Sequence, residues 1–156
     1  MSEAASPEQT QPTFNIEKLY IKDLSLEVPH APSIYLEREA PQIDLQMHSE
    51  YSAIDQGIYE VLITITLTAK LSSQDKIMFL IEAKQAGIFR VQNIPKEDME
   101  SVLAVVCPNI LYPYIREVVT DVSVRAGFAP VLLNPVNFEA LYQQQKAQAA
   151  AAVTKH

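Results

Sequence analysis

Residues 107–117, CPNILYPYIRE, read as helix on both sides and yet carry two prolines, Pro108 and Pro113. Upstream, Met99, Val102, Leu103 and Val106 recur at 3–4 spacing; downstream, Leu111, Ile115, Val118 and Val122 do the same. A proline inside a helix removes a backbone donor and crowds the preceding turn, at a cost of about 3 kcal/mol. A helix that keeps its apolar stripe through both is kinked, or restarts with Pro108 in its first turn. Val105, Tyr112, Tyr114 and Val119 fall off the stripe and make the segment apolar nearly all round. Such a helix buries more than one face, and in a small chain the second face is expected to lie against another subunit.

Working outward, this helix should begin after Pro95, with Glu97, Asp98 and Glu100 in its first turn, and stop at Gly127. A second helix comes after Asn134-Pro135, with Asn134 as cap and Pro135 at the first helical position. Phe138, Leu141, Tyr142 and Gln145 line one side of it. Before the helices, four stretches read as strands. In Phe14 to Val28 the even positions are largely apolar, whereas Asn15, Glu17, Asp23, Ser25 and Glu27 occupy odd ones. Leu19 and Ile21 break that alternation, as at a second contact surface. Pro29 and Pro32 end the strand and open a long connection through Ile34, Tyr35 and Leu36 to Pro41. Ile43 to His48 alternates cleanly, and Ile58 to Ala69 is β-branched. Leu71 to Asp75 is a polar turn, so Ile58–Ala69 and Lys76–Gln85 should form a hairpin with Ile77, Phe79, Ile81 and Ala83 on one face.

The expected class is therefore α+β: a four-stranded antiparallel sheet with a long crossover connection, packed on a long kinked helix and a second C-terminal helix. At 156 residues one domain suffices, flanked by polar tails at 1–12 and 146–156, the latter helical or disordered. The domain itself occupies 13–145. A chain of this size buries roughly 68–70% of its unfolded surface. The net charge of -7 argues against nucleic acid as a partner and favours one with a basic patch. No apolar leader comes after a basic start, and no apolar run approaches the roughly 20 residues that span a bilayer. The expectation is a soluble, cytoplasmic chain without stable membrane insertion.

Catalysis finds little support. The chain has 3 glycines and no phosphate-binding loop, His-x-x-x-His, Cys-x-x-Cys or Gly-x-Ser-x-Gly element. His30 lies in a Pro-rich turn, His48 on a polar strand face, and His156 at the terminus. Cys107, the single cysteine, reads as a small buried hydrophobe. No catalytic residue, metal site or cofactor is expected.

The run CPNILYPYIRE together with NPVNFEALY (134–142) resembles the SecB family of bacterial export chaperones. FNIEKLYIKDLSLEVPHAP (14–32) is similar to that family's first strand, and FLIEAKQAGIF (79–89) to its fourth. Four blocks in the right order, spanning Phe14 to Tyr142 with gaps, make the resemblance specific. It implies an ATP-independent holdase that keeps preproteins unfolded and delivers them to the motor SecA. It also implies a homotetramer built as a dimer of dimers, using Val105, Ile110 and Tyr112.

By alternation alone, Asp23 and Glu27 on the first strand and Leu80 and Glu82 on the fourth mark a solvated sheet face. The resemblance makes these four the SecA-docking patch. It makes Ile34, Tyr35 and Leu36 of the crossover, with Phe138, Leu141 and Tyr142 of the last helix, a groove for unfolded polypeptide. The family's loop would carry an aromatic residue late, where this chain has Glu39-Ala40-Pro41. Its tail would be Gly-rich and acidic, where this one is rich in Ala and Gln. Two rivals stand beside the holdase: an adaptor docking a partner through the acidic face, and a small α+β enzyme, which would need an enclosed polar pocket.

Overall fold

The computed structural model describes residues 11–153. Four strands, β1 (Thr13–Glu27), β2 (Gln42–Asp55), β3 (Ile58–Leu71) and β4 (Lys76–Gln92), form one antiparallel sheet in the order β1-β4-β3-β2. The long helix α1 spans Lys96–Arg125, and α2 spans Phe138–Val153. The architecture is the expected one. Most of the polar tail at 1–12 and the last residues, with His156, lie outside the described residues.

Because β1 and β2 occupy opposite edges, their connection must cross the sheet. It does so through a 3-10 turn at Ser33–Leu36 and is fastened over the β3–β4 turn by side chains. Ser72 Oγ donates to Gln42 Oε1 at 2.8 Å, Gln74 Nε2 to Glu37 Oε2 at 3.1 Å, and the Ser73 hydroxyl to the Glu39 carboxylate.

Residues directly opposite in an antiparallel pair point to the same side. The register therefore shows which side chains face α1. On β3 these are Val61, Ile63, Ile65, Leu67 and Ala69; on β4 they are Phe79, Ile81, Ala83, Phe89 and Val91, and all are buried. Bulges explain where simple alternation misleads. β1 shifts register between Ile16 and Lys18 and again between Ile21 and Asp23. Each inserted residue reverses the parity of the residues after it. Leu19 and Ile21 thus pair with Gly87 and Gln85 on the helix side, and Tyr20 turns outward. The break is not a second contact surface: all the apolar residues of β1 from Phe14 to Leu26, Tyr20 aside, belong to one face. On β4, a shift between Ala69 and Lys70 sets Ile77 opposite Lys70, off the Phe79 face, and Met78 is buried.

β2 and β4 also run further than their clearest alternation, to Asp55 and Gln92. The β2–β3 hairpin turns at Gly57, with φ at 71°, a conformation open to glycine at little cost.

α1 neither breaks nor restarts at its prolines. A π-turn at Val102–Val106 precedes Pro108, and the Cys107 N–H reaches back to the Val102 carbonyl. Widening one turn relieves the carbonyls that Pro108 would otherwise crowd or leave unbonded. The helix ends as its glycine suggests. Gly127, at φ 92°, donates to Val124 O at 2.9 Å, and Phe128 N–H donates to Ser123 O at 3.2 Å. The cap of α2 is Asn137 rather than Asn134: Asn137 Oδ1 accepts from the Ala140 N–H at 2.9 Å. Asn134 and Pro135 lie in the extended return segment, where Asn134 O accepts from the Tyr112 hydroxyl. By length and composition α1 could cross a membrane, which counting unbroken apolar runs did not show. In the fold it is a core helix, with Leu103, Cys107, Leu111, Ile115 and Val119 buried along one side.

Gly87 decides how closely α1 approaches the sheet. A Cβ there would stand 2.7 Å from the Phe89 ring and 3.0 Å from Leu111 Cδ2. Phe89 and Leu111 are fully buried and have nowhere to move. Gly87→Val should therefore destabilise the protein by about 1–3 kcal/mol through overpacking. Urea unfolding reads this as a lowered midpoint, and an unchanged midpoint would refute the close contact.

Candidate functional site

Ile34 is 1% exposed and belongs to the core. Its neighbour Tyr35 stacks on Phe128 (centroids 5.2 Å), which stacks on Phe79 (4.6 Å), and the Tyr35 hydroxyl donates to Ala126 O at 2.7 Å. This latch holds the crossover against the C-terminal end of α1. Leu36, beside it, is 83% exposed. On α2, Phe138 and Tyr142 are buried, Phe138 edge-on to Tyr112 with centroids 5.9 Å apart. Leu141 is exposed and lines a cleft of about 360 Å³ with Tyr51 of β2 and Glu100 and Ala104 of α1. Burial, and secondarily the Glu100 carboxylate, pushes the Tyr51 hydroxyl above its ordinary pKa.

Three of the six expected client contacts, Tyr35, Leu36 and Leu141, are therefore exposed, while Ile34, Phe138 and Tyr142 support them from within. The loop and the helix do not form one pocket. Tyr35 sits at Ala126 and the cleft at Ala104, roughly 33 Å apart along α1 at 1.5 Å per residue.

Between those two ends lies a row the sequence reading passed over. β2 turns Ile43, Leu45, Met47 and Tyr51 to the helix side, opposite Ala69, Leu67, Ile65 and Val61. Ile43, Leu45 and Tyr51 are 40%, 41% and 44% exposed. Their alternation was legible, but alternation alone does not tell an edge strand from a central one. Their edge position is what leaves them open.

The other face of the sheet is polar. Glu27 lies opposite Leu80, Ser25 opposite Glu82 and Asp23 opposite Lys84, so Asp23, Glu27, Leu80 and Glu82 share the face turned away from α1. Asp44 faces the same way, opposite Thr68, which itself pairs with Leu80. Nearby carboxylates are engaged: Glu60 holds Lys22 at 2.8 Å and accepts from the Tyr20 hydroxyl, and Glu17 holds Arg90 at 2.7 Å. Lys22 first, and Tyr20 second, lower the Glu60 pKa; burial and Glu60 push the Tyr20 hydroxyl up to about 12. Among the described residues, Asp23, Glu27 and Glu82 form no ion pair.

The residues expected at a subunit contact differ in their exposure within the protomer. Val105 and Tyr112 are buried inside the protomer and cannot present a surface, and Ile110 is half-buried. The exposed apolar residues of α1 are Val106, Tyr114 and Val124, and β1 exposes Ile16, Ile21, Leu24 and Leu26 on its helix side. The π-turn, invisible to a period count, shifts which residues turn out. Cys107 is fully buried, and burial alone pushes its thiol up to about 12. His30 and His48 stand apart. Among the described residues no group of His, Cys, Asp or Glu is arranged to hold a metal.

A single antiparallel sheet, one long π-turned helix, an exposed apolar rim and a carboxylate-bearing outer face define a binding protein of the SecB-like fold. A SecB-like chaperone of Mycobacterium tuberculosis, solved with a peptide from an antitoxin, is similar in fold: the TM-score is 0.65 at 20% identity, over 79% of this chain and 90% of that one. The chain belongs to the SecB family, whose model, described as preprotein translocase subunit SecB, matches residues 7–149. It is 58% identical to the protein-export protein SecB of Nitrosomonas eutropha, over 92% of this chain and 90% of that protein. It is 61% identical to that of Thiobacillus denitrificans, over 88% and 90%.

Proposed function

We propose that this chain is an ATP-independent cytoplasmic chaperone that holds preproteins unfolded and hands them to the SecA motor. The observation that carries this reading is the 58% identity, across nearly the whole chain, to proteins named for protein export. Its physics is mass action: a protein that binds unfolded chains and not their folded forms opposes folding by occupying them. The exposed Leu36, Leu141 and β2 row offer apolar area worth about 25 cal/mol per Å² when covered, with no sequence preference. Nothing in this cycle calls for catalysis, and no residue here is assigned to it.

Several weak sites on one particle would hold a long chain tightly through effective concentration. That is the advantage of a homotetramer, a dimer of dimers in which α1 presents Val106, Ile110 and Tyr114 outward over Val105 and Tyr112. The β1 row supplies a second unpartnered apolar surface. Sedimentation equilibrium at micromolar concentration should give four times the chain mass; a stable monomer would refute the assembly.

Without nucleotide, the protein should suppress aggregation of a reduced, unfolded test protein at near-stoichiometric amounts, and unfolding this chain first should abolish the effect. Equal aggregation with and without it would remove the holdase reading and leave the adaptor.

Docking of SecA falls to Asp23, Glu27, Leu80 and Glu82, whose free carboxylates suit a basic partner and whose leucine adds a desolvated contact. Asp23→Lys, Glu27→Lys or Glu82→Lys should each weaken SecA binding, and added salt should weaken it in the parent. Stability should move by no more than about 0.5 kcal/mol, since these side chains point outward. Isothermal titration with SecA checks this, and three unchanged affinities would mean a merely solvated face.

A further inference from the structure

Asp23 has two lysines beside it and is paired with neither. In a regular strand Lys22, its neighbour in sequence, would point to the opposite face. The register shift between Ile21 and Asp23 makes Lys22 the inserted residue of a bulge, and its ion pair with Glu60 places it on the outer face with Asp23. Lys84 lies directly opposite Asp23 on β4. Among the described residues, neither lysine forms an ion pair with Asp23.

Lys22 is drawn elsewhere. Its Nζ stands 2.8 Å from Glu60 Oε1. Glu60 sits on β3 at the level of Ile88, whereas Asp23 sits at the level of Lys84. The lysine arm therefore leans across β4 and away from the docking face, and with Glu50 and Ser52 of β2 it lines a hollow of about 220 Å³. The receiving carboxylate is itself fixed. Tyr20 lies opposite Ala86, whose small side chain leaves the ring room to cross β4, and its hydroxyl donates to Glu60 Oε2. Ala86 and Leu62 are buried there although they face outward. The Glu60 side chain is 17% exposed. A carboxylate so held and so covered is less screened and less mobile than the exposed Asp23, and so competes better for the lysine.

We propose that Glu60 is a positioning residue for partner docking: by holding Lys22 across the sheet it keeps the ammonium off Asp23 and leaves that carboxylate open to a basic partner. Lysine is a strongly charged group on a flexible stem, and with Glu60 neutralised it turns to the adjacent Asp23 and cancels a charge that the partner needs. Tyr20 serves the same end, because its hydrogen bond fixes the carboxylate in the place where it receives Lys22. The docking face thus depends on a residue that touches no partner. The proposal rests on the docking reading and adds how one of its carboxylates is kept free.

Isothermal titration of the full chain with SecA tests it through a double-mutant cycle. Asp23→Asn should weaken binding by about threefold to fivefold in the parent and hardly at all in a Glu60→Gln background, where Lys22 already neutralises Asp23. Glu60→Gln alone should weaken binding to a similar extent, and Lys22→Met added to it should restore the parent's affinity. Glu60→Asp keeps the charge but shortens the arm; it should weaken binding in the same direction, which a loss of net charge would not explain. It also takes the place of Glu60→Gln in the cycle if that variant does not fold. Additive losses for Asp23 and Glu60, or no recovery with Lys22→Met, would overturn the proposal, because Glu60 would then touch the partner itself or act only through the overall field. Full affinity in Glu60→Gln would overturn it as well, since Lys22 would have turned to Glu50 or to water. If Asp23→Asn leaves the parent's affinity unchanged, the docking reading falls, and this proposal with it.

Discussion

The rest of the structure depends on the contact between α1 and the middle of the sheet, where Leu111 closes over Gly87. The absence of a side chain at Gly87 brings a helix with two prolines flush against β3 and β4. The π-turn at Val102–Val106 keeps Leu103, Cys107, Leu111 and Ile115 on one buried line despite Pro108. Without that turn, the helix would have to bend away from the sheet or leave carbonyls unbonded at its most buried point. The Thr120 hydroxyl, donating to Val131 O at 2.7 Å, and Ser123 Oγ, accepting from Val131 N–H at 3.0 Å, then bind the return segment to the helix and carry α2 back along it.

A width mismatch results from that contact. An α-helix with its side chains is about 10 Å across, and neighbouring strands lie about 4.8 Å apart. One helix centred on β3 and β4 therefore covers two strands of four. The helix-side residues of β1 and β2 are apolar like those of the inner strands, yet several stay partly open because α1 does not fully cover them. The same alternating pattern that builds a core in the middle of the sheet builds an adhesive surface at its margins. A second cover layer would have given a closed domain with little left to bind.

Much of this was legible in the sequence. The β-branched run at Ile58–Ala69 and the acids after Pro95 place β3 and the start of α1 closely, and Gly127 marks its end. What alternation could not show were insertions of single residues. Glu17 and Lys22 each add one residue to β1, so Leu19 and Ile21 looked misplaced and Tyr20 looked inward. The two reversals cancel, which is why Asp23 and Glu27 were nonetheless assigned to the outer face correctly. Their grouping with Leu80 and Glu82 came from register across strands distant in sequence, for which resemblance stood in. The β2 row was visible as a pattern but not as a surface, because strand order is a tertiary fact. Likewise Val105 and Tyr112 looked available on a helix apolar all round. Burial of Phe138 against Tyr112 and the hydrogen bond from the Tyr112 hydroxyl to Asn134 O occupy that side of α1.

In the proposed function, the sheet separates two kinds of binding that would interfere if mixed. Its helix side carries apolar rows that attract any extended chain, whereas its outer side carries unpaired carboxylates around Leu80 and a net charge of -7 stands behind them. An apolar client gains little from the outer face, and a basic partner gains little from the rim. Both can therefore be bound at once, without competition for the same atoms. On the proposed function, release of a client to a motor would require no switch inside this chain: a partner docked on the outer face would pull on segments retained by many individually weak contacts. Such contacts let go one at a time, so the barrier to transfer is that of a single contact rather than of the whole interface.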